Sequence, residues 1–400
     1  MCISRESDAS ASIHCRARRS RTEADRVGGS IVFTRKKLVA AFGLAAASML
    51  VLSACGQAPD ADAPAADGDG TGAAVDGSDF TACMVSDEGG FDDRSFNELS
   101  HTGLEQAASE LGVATNEAES KTEGDYNANL TAMLDAGCDI IVPVGFKLAD
   151  ATAEIAAANP ETQFAIVDVD WVEGDNVLGL TYDTAQAGFL AGYAAAGYSE
   201  SGVVATYGGA QLPSVTIFMD GFHDGIKYWN EQKGEDVRLI GWDVDTQNGS
   251  FVGDFSNQAS AKQITEGFLA EGADVILPVG GPLYQGGVEA IRDAGSDALI
   301  IGVDSDLAVA DPSVADKVFV SIQKGLDVSV FEAIESAVNG EFEGGLYVGT
   351  LENDGVGISG FGEFESELPE GMLDELEQIK QGIIDGSIEV VSPSSPQPAA

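Results

Sequence analysis

The chain has 400 residues, 44% of them hydrophobic, with 20 Lys and Arg against 66 Asp and Glu and a formal net charge of −46. From Cys55 onward the imbalance steepens to 11 basic against 62 acidic side chains, a net of −51. Such a surface repels phosphate backbones and anionic lipid, which excludes nucleic acid as a partner and disfavours a highly anionic ligand unless its pocket is locally basic.

Residues 1–31 hold six arginines, Cys2 and Cys15, with no coherent periodicity. Gly28-Gly29 fits a purine-rich ribosome-binding site and Val32 a GTG codon, so translation is expected from Val32 and 1–31 as a mis-annotated leader. Arg35-Lys36-Lys37, the apolar run 38–52 and Leu52-Ser53-Ala54-Cys55 follow the basic, apolar, small-residue order of a secretion signal. The run falls short of the ~20 residues a spanning helix needs. Its terminal cysteine resembles a bacterial lipobox. That implies a signal peptide over 32–54, cleavage before Cys55, a diacylglycerol on its thiol and anchorage at the extracytoplasmic face of the cell membrane. Residues 56–78 are Ala, Asp, Gly and Pro with almost no large apolar side chain, so 55–78 reads as a lipidated, disordered tether reaching roughly 25 Å.

About 346 residues then remain after Cys55 is freed, enough for two ordinary domains. Short apolar runs at 81–86, 140–144, 164–167, 203–207, 237–242, 275–279 and 299–303 alternate with helical stretches. This pattern predicts an α/β chain with parallel sheets covered on both faces. Cys83 lies in the first run and Cys138 just before the second; they read as two core thiols, with a disulfide open to them outside the cell. An internal echo links the halves. Gly137-Cys-Asp-Ile-Ile-Val-Pro-Val-Gly145 matches Gly272-Ala-Asp-Val-Ile-Leu-Pro-Val-Gly280, and each is followed by a helix and a strand ending in aspartate, at Asp168 and Asp304. Two similar lobes would set both Pro-Val-Gly turns and both aspartates at the C-terminal ends of strands, where open α/β sheets bind ligands. Asp170 competes with Asp168 for this role.

Between the first run and first helix lies Ser86-Asp-Glu-Gly-Gly-Phe-Asp-Asp-Arg-Ser-Phe-Asn97, a loop offering a carboxylate, an amide and an aromatic ring, with Ser95 or Asp93 able to cap the helix. Here the chain resembles the basic membrane protein family, lipoproteins that are the purine-nucleoside-binding proteins of ABC transporters. The likeness runs from about Phe80 to Val390. It rests on Gly90-Phe-Asp-Asp-Arg-Ser-Phe-Asn97, Gly249-Ser-Phe251, Gly272-Ala-Asp-Val-Ile with Pro278-Val-Gly-Gly281, Gly302-Val-Asp-Ser-Asp306 and Ser321-Ile-Gln-Lys324. Glu370 to Ile388 looks like the family's terminal helix and strand. Arg94 stands where many relatives carry lysine, and Leu307 where glutamine is commoner.

The resemblance implies a type I periplasmic-binding-protein fold, two doubly wound parallel-sheet lobes joined by three crossovers. The expected N-terminal lobe is 79–183 plus 323–340 and the C-terminal lobe 184–322 plus 341–360, with a helix, a strand and a disordered tail in 361–400. It implies that Phe96 stacks on one face of a base and Phe251 on the other. Asp87, Asn97 and Asp168 would meet polar edges, Asp304 and Lys324 would hold ribose hydroxyls, and Gly280 and Gly281 would let the backbone approach. The expected partners are a nucleoside, purine nucleosides favoured, and an ABC permease with its ATPase; a monomer is expected. A receptor for another solute, such as a sugar or signalling molecule, and a surface or regulatory lipoprotein without transport stand as alternatives. His101 and His223 sit in no catalytic motif and no P-loop or metal-ligand spacing occurs, so no enzyme, cofactor or metal is expected.

Overall fold

The computed structural model describes residues 77–396. The signal segment, Cys55 and nearly all of the tether lie outside the described residues, as do residues 397–400.

The strands in chain order are β1 (Thr81–Ser86), β2 (Ala114–Glu119), β3 (Ile140–Val144), β4 (Gln163–Val167), β5 (Val177–Tyr182), β6 (Val203–Gly208) and β7 (Arg238–Ile240). They continue with β8 (Trp242–Asp243), β9 (Asn248–Gly249), β10 (Val275–Val279), β11 (Leu299–Asp304), β12 (Val318–Lys324), β13 (Gly345–Gly349) and β14 (Val356–Ile358). The helices are α1 (Phe96–Glu110), α2 (Tyr126–Asp135), α3 (Ala149–Ala158), α4 (Thr184–Tyr198) and α5 (Pro213–Lys233). Then come α6 (Gln258–Ala270), α7 (Tyr284–Ala294), α8 (Leu307–Ala310), α9 (Leu326–Val338) and α10 (Met372–Ile384).

Two six-stranded sheets repeat one plan. The first has the order β13-β5-β4-β3-β1-β2 and the second β14-β12-β11-β10-β6-β7. The first is parallel throughout; in the second only β14 runs antiparallel to its neighbour. The echoed segments therefore occupy equivalent places, β3 with β4 in one sheet and β10 with β11 in the other. Side chains alternate across each strand as the pleat requires. On β1, Ala82 and Met84 join the large core cluster, while Cys83 and Val85 pack beneath α2 and α3. Cys83 and Cys138 are joined by a disulfide with Cα atoms 6.0 Å apart, the second of the two states open to them from sequence.

Three crossovers join the lobes, as expected. They run from β5 into α4, from β12 into α9, and from β13 to β14. They lie side by side, the Asp183 amide donating to the Gly349 carbonyl at 2.8 Å and the Gly325 amide to Gly355 at 2.9 Å. Residues 341–360, expected entirely in the second lobe, divide instead: β13 pairs with β5 and β14 with β12. The third crossing falls between them, so the chain visits the first sheet once more before ending on the second. The expected terminal helix is present as α10, but residues 385–396 contain no strand.

In the second lobe α4 and α5 pack backbone to backbone. A Cβ on Gly221 would come within 2.1 Å of the Ala185 carbonyl, and one on Gly225 within 2.0 Å of that of Phe189. Only glycine permits this approach, and it sets the middle of α5 directly against the first turns of α4.

Candidate functional site

At the C-terminal ends of β1, β3, β4, β10 and β11 the lobes enclose a cavity of about 150 Å3. Phe96 and Asn97 reach it from the start of α1, Asp168 and Asp304 from the ends of β4 and β11, and Lys324 from the second crossover. Asp87, Gly280 and Gly281 complete the expected residues that line it.

The β1–α1 loop is held by its own carboxylates. Asp93 accepts from the amides of Ser95, Asn97 and Glu98, each at 3.0 Å, so Asp93 rather than Ser95 caps α1. The Asn97 amide nitrogen donates to Asp87 at 3.0 Å and to Asp93 at 3.1 Å. With both its hydrogens so occupied, the orientation of Asn97 is fixed, and its buried carbonyl oxygen has no hydrogen-bond partner in the protein. A buried acceptor left in this way is costly unless something donates to it. Burial raises the Asp87 carboxyl above its ordinary value, against the hydrogen bonds from Gly89 and Asn97.

Asp168 and Asp304 share an uncommon backbone state, with φ of 62° and 67°. Left-handed conformations at non-glycine residues are strained and cluster at functional positions, and the same strain recurs at equivalent ends of the two sheets. Lys324, only 4% exposed, lies between them. Its Nζ donates to the two Asp168 oxygens at 2.8 and 3.0 Å and stands 3.9 Å from Asp304. The ammonium is also 5.3 Å from the ring centroids of Phe96 and Phe218 and 5.4 Å from Tyr182, within cation–π reach. Lys324 is thus paired first with Asp168 and only more distantly with Asp304. Burial pushes the Asp304 carboxyl up to about 6, although Lys324 and the Ser95 hydroxyl favour its charged form; Asp168 and Asp93 add to the upward push.

The structure does not bring Phe251 to the cavity. Its ring packs edge-on against Trp242, with centroids 6.0 Å apart and planes at 89°, and its backbone bridges to Gly208. The aromatic side chains that do line the cavity besides Phe96 are Phe146, Phe218 and Phe255. Phe255 is four residues beyond Phe251 in the same Gly- and Ser-rich loop, so the loop was legible and the choice of ring was not. Phe146 directly follows the repeated Pro-Val-Gly turn, a signal that was available. Phe218 sits within the apolar run of α5 and reads as core. Between the two aspartates the structure selects Asp168; Asp170 is exposed and does not line this cavity.

Contacts from the β1–α1 loop close the lobes over the site. The Ser95 hydroxyl donates to Asp304 at 2.7 Å, that of Ser305 donates to the Arg94 carbonyl at 3.2 Å, and the Arg94 guanidinium meets Asp311 at 2.7 Å. Asp311 is prepared for this. It also accepts from Tyr284 at 2.9 Å and from the Ser313 hydroxyl at 2.6 Å.

The family described as ABC transporter substrate-binding protein PnrA-like matches residues 80–392. The ABC transporter nucleoside-binding protein BmpA of Lactococcus lactis is 29% identical over 375 residues, covering 90% of this chain and 99% of that protein. Basic membrane protein A of Borreliella burgdorferi is 29% identical, covering 70% and 79%. Among solved structures, ABC transporter system solute-binding proteins from Aeropyrum pernix K1 are similar, with 27% identity, a TM-score of 0.69 and coverage of 78% of this chain and 94% of that one. An interlobe cavity at paired strand ends, a buried cation–carboxylate centre and a match across nearly all the described residues agree with one another. The chain belongs to the PnrA-like substrate-binding proteins of ABC transporters, and so is a ligand-binding partner of a permease and its ATPase rather than an enzyme.

Proposed function

We propose that the protein captures nucleosides, purine nucleosides favoured, in the interlobe cavity and hands them to its permease. The observation that carries this reading is the joint lining of one cavity by aromatic rings and by the Asp168–Lys324–Asp304 group. A flat heteroaromatic base gains area burial and ~0.5–1.5 kcal/mol of stacking per ring pair. A vicinal diol can donate to a carboxylate while accepting from an ammonium, and such bonds strengthen away from water. Lys324 is the sole cationic side chain lining the cavity, against six carboxylates, which suits a neutral nucleoside and opposes a nucleotide. The naming of the Lactococcus relative as nucleoside-binding adds support.

In this reading Phe96 and Phe255 flank the base. Asp87, Asn97 and Asp168 meet its polar edges, Asp304 and Lys324 hold the ribose, and Gly280 and Gly281 leave room for the ligand. The ligand bridges both lobes and draws the open form toward the closed one by its differential affinity. The chain acts as a monomer, held on the extracytoplasmic face of the membrane by a lipid on Cys55. Asp304→Ala should weaken ribonucleosides about tenfold or more while sparing free bases; equal loss for both ligands refutes the ribose assignment. Cys55→Ser should release the protein into the medium, and retention on the membrane refutes the anchor.

A further inference from the structure

We infer that the C-terminal segment 391–396 is a strap that holds the ligand-lining first turns of α5 against the first crossover, and so keeps the binding site assembled. From sequence it was expected to be a disordered tail. Its contacts are ordered instead along one face of α5. The Val391 amide donates to Asp224 at 3.2 Å, the Ser392 hydroxyl to Asp220 at 2.6 Å, and the hydroxyls of Ser394 and Thr216 share a hydrogen bond of 2.8 Å. Positions 224, 220 and 216 are four apart and lie on one helical face, so the strap runs antiparallel to α5 toward its N-terminus. One step further the Ser395 hydroxyl donates to Asp183 at 2.9 Å. Asp183 is the crossover residue between β5 and α4, and its own amide ties it to Gly349 of β13 in the first sheet.

The Asp220 contact shows how firmly the strap is joined. This carboxylate is completely buried and is satisfied by three donors, the Trp242 indole and the Gln247 amide at 2.9 Å each, and Ser392. Loss of one donor leaves a buried carboxylate short of a partner, which is far costlier than a lost surface contact. The far end of the strap has a different role. Ser394 and Pro396 wall a cavity of about 40 Å3 whose other walls include Asp168, Trp171 and Lys324. Thr184, which also lines it, has a buried hydroxyl with no hydrogen-bond partner in the protein. The volume exceeds the ~10–15 Å3 an ordered water needs. The strap thereby covers the rear of the Asp168–Lys324 pair, while the helix it grips carries Ser214, Val215 and Phe218 into the ligand cavity.

The test compares the full chain with a chain ending at Val390 and with the double variant Ser394→Ala/Ser395→Ala, which leaves Ser392 on Asp220. Hydrogen exchange without ligand is the first readout. The strap predicts faster exchange in the double variant both at 215–218 of α5 and across the crossover at 181–186, at an unchanged melting temperature. Acceleration confined to 391–396, or none, overturns it. Inosine release by stopped flow is the second readout, with dissociation expected to rise roughly three- to tenfold; an unchanged rate overturns the link to the site. The inference needs two lobes and a site between them but not a nucleoside. If inosine fails to bind the full chain the nucleoside reading falls, and exchange still decides the strap. If the chain ending at Val390 does not fold, the double variant carries the decision.

Discussion

The Arg94 guanidinium stands 2.7 Å from the Asp311 carboxylate and joins the loop before α1 in the first lobe to the end of α8 in the second. Arg94 has a φ of 56°, a conformation held only where the surroundings enforce it. Burial alone would raise the Asp311 carboxyl, but hydrogen bonds from Ser313 and Tyr284 and the Arg94 charge more than offset this and hold it below the ordinary value. The acceptor is thus assembled within one lobe and waits for a donor from the other. Neither residue lines the ligand cavity. Arg94→Ala should therefore weaken ligand retention only through closure, and only modestly, because the exposed guanidinium is screened by solvent. The Arg94→Asp/Asp311→Arg exchange should recover part of the loss. A loss in Arg94→Ala that persists undiminished in 1 M salt would show that ion pairing is not its cause.

Asp304 gives a prediction in which stability and function oppose each other. Its folded pKa, about 6, lies above its ordinary value of 3.8. The folded state therefore binds the proton more tightly than the unfolded one, and this group's contribution to stability falls as pH rises from about 4 to about 6. Above that window the buried charge is a standing cost, faced by Lys324 but also by Asp168 and Asp93. Asp304→Asn should raise the melting temperature at pH 7.5 and leave it little changed at pH 4, and it should weaken ligand binding at pH 7.5 far more than at pH 4, where the parent carboxyl is already protonated. Binding to the parent chain should decline as pH falls through about 6. A lower melting temperature for Asp304→Asn at pH 7.5 would contradict the assignment.

The two phenylalanines of the 249–257 loop separate binding from packing. Phe255→Ala should weaken nucleoside binding by about 1–2 kcal/mol through lost stacking and burial, with little change in melting temperature. Phe251→Ala should do the reverse, removing the contact with Trp242 and lowering stability by up to about 3 kcal/mol. Calorimetric binding and thermal unfolding of the same two variants decide the matter.

The disulfide closes a span of 55 residues. By loop entropy it stabilises the fold by up to about 4 kcal/mol. The native chain should show no reactive thiol at Cys83 or Cys138 until it is reduced, and reduction should lower the urea midpoint. Ready alkylation without reductant would refute the bond.

Much of this architecture could be read from sequence because buried parallel strands are nearly continuous apolar runs. The runs at 81–86, 140–144 and 275–279 are β1, β3 and β10 to the residue. The polar strand β2, Ala-Thr-Asn-Glu-Ala-Glu, was invisible because it is an edge strand with both faces largely exposed. β13 and β14 are short and glycine-rich, so the third crossing could be counted from the family but its place could not be read. At the site, residues on the repeated turns and the β1–α1 loop were legible because strand ends place them. Phe218 and the strap were not. Phe218 is spaced like core on a helix that is mostly buried, and the strap is a run of Ser and Pro whose order comes from partners on a distant helix.

The roles proposed for the cleft all depend on a nucleoside held between the lobes. The most direct test is isothermal titration of the full chain, unfolded and refolded to remove carried ligand, with adenosine, guanosine, inosine, uridine and ribose. Submicromolar binding of a purine nucleoside is expected, with little response to ribose and loss of that binding in Phe96→Ala. A folded chain that gives no heat with any nucleoside, or that binds ribose as tightly as inosine, would contradict this expectation.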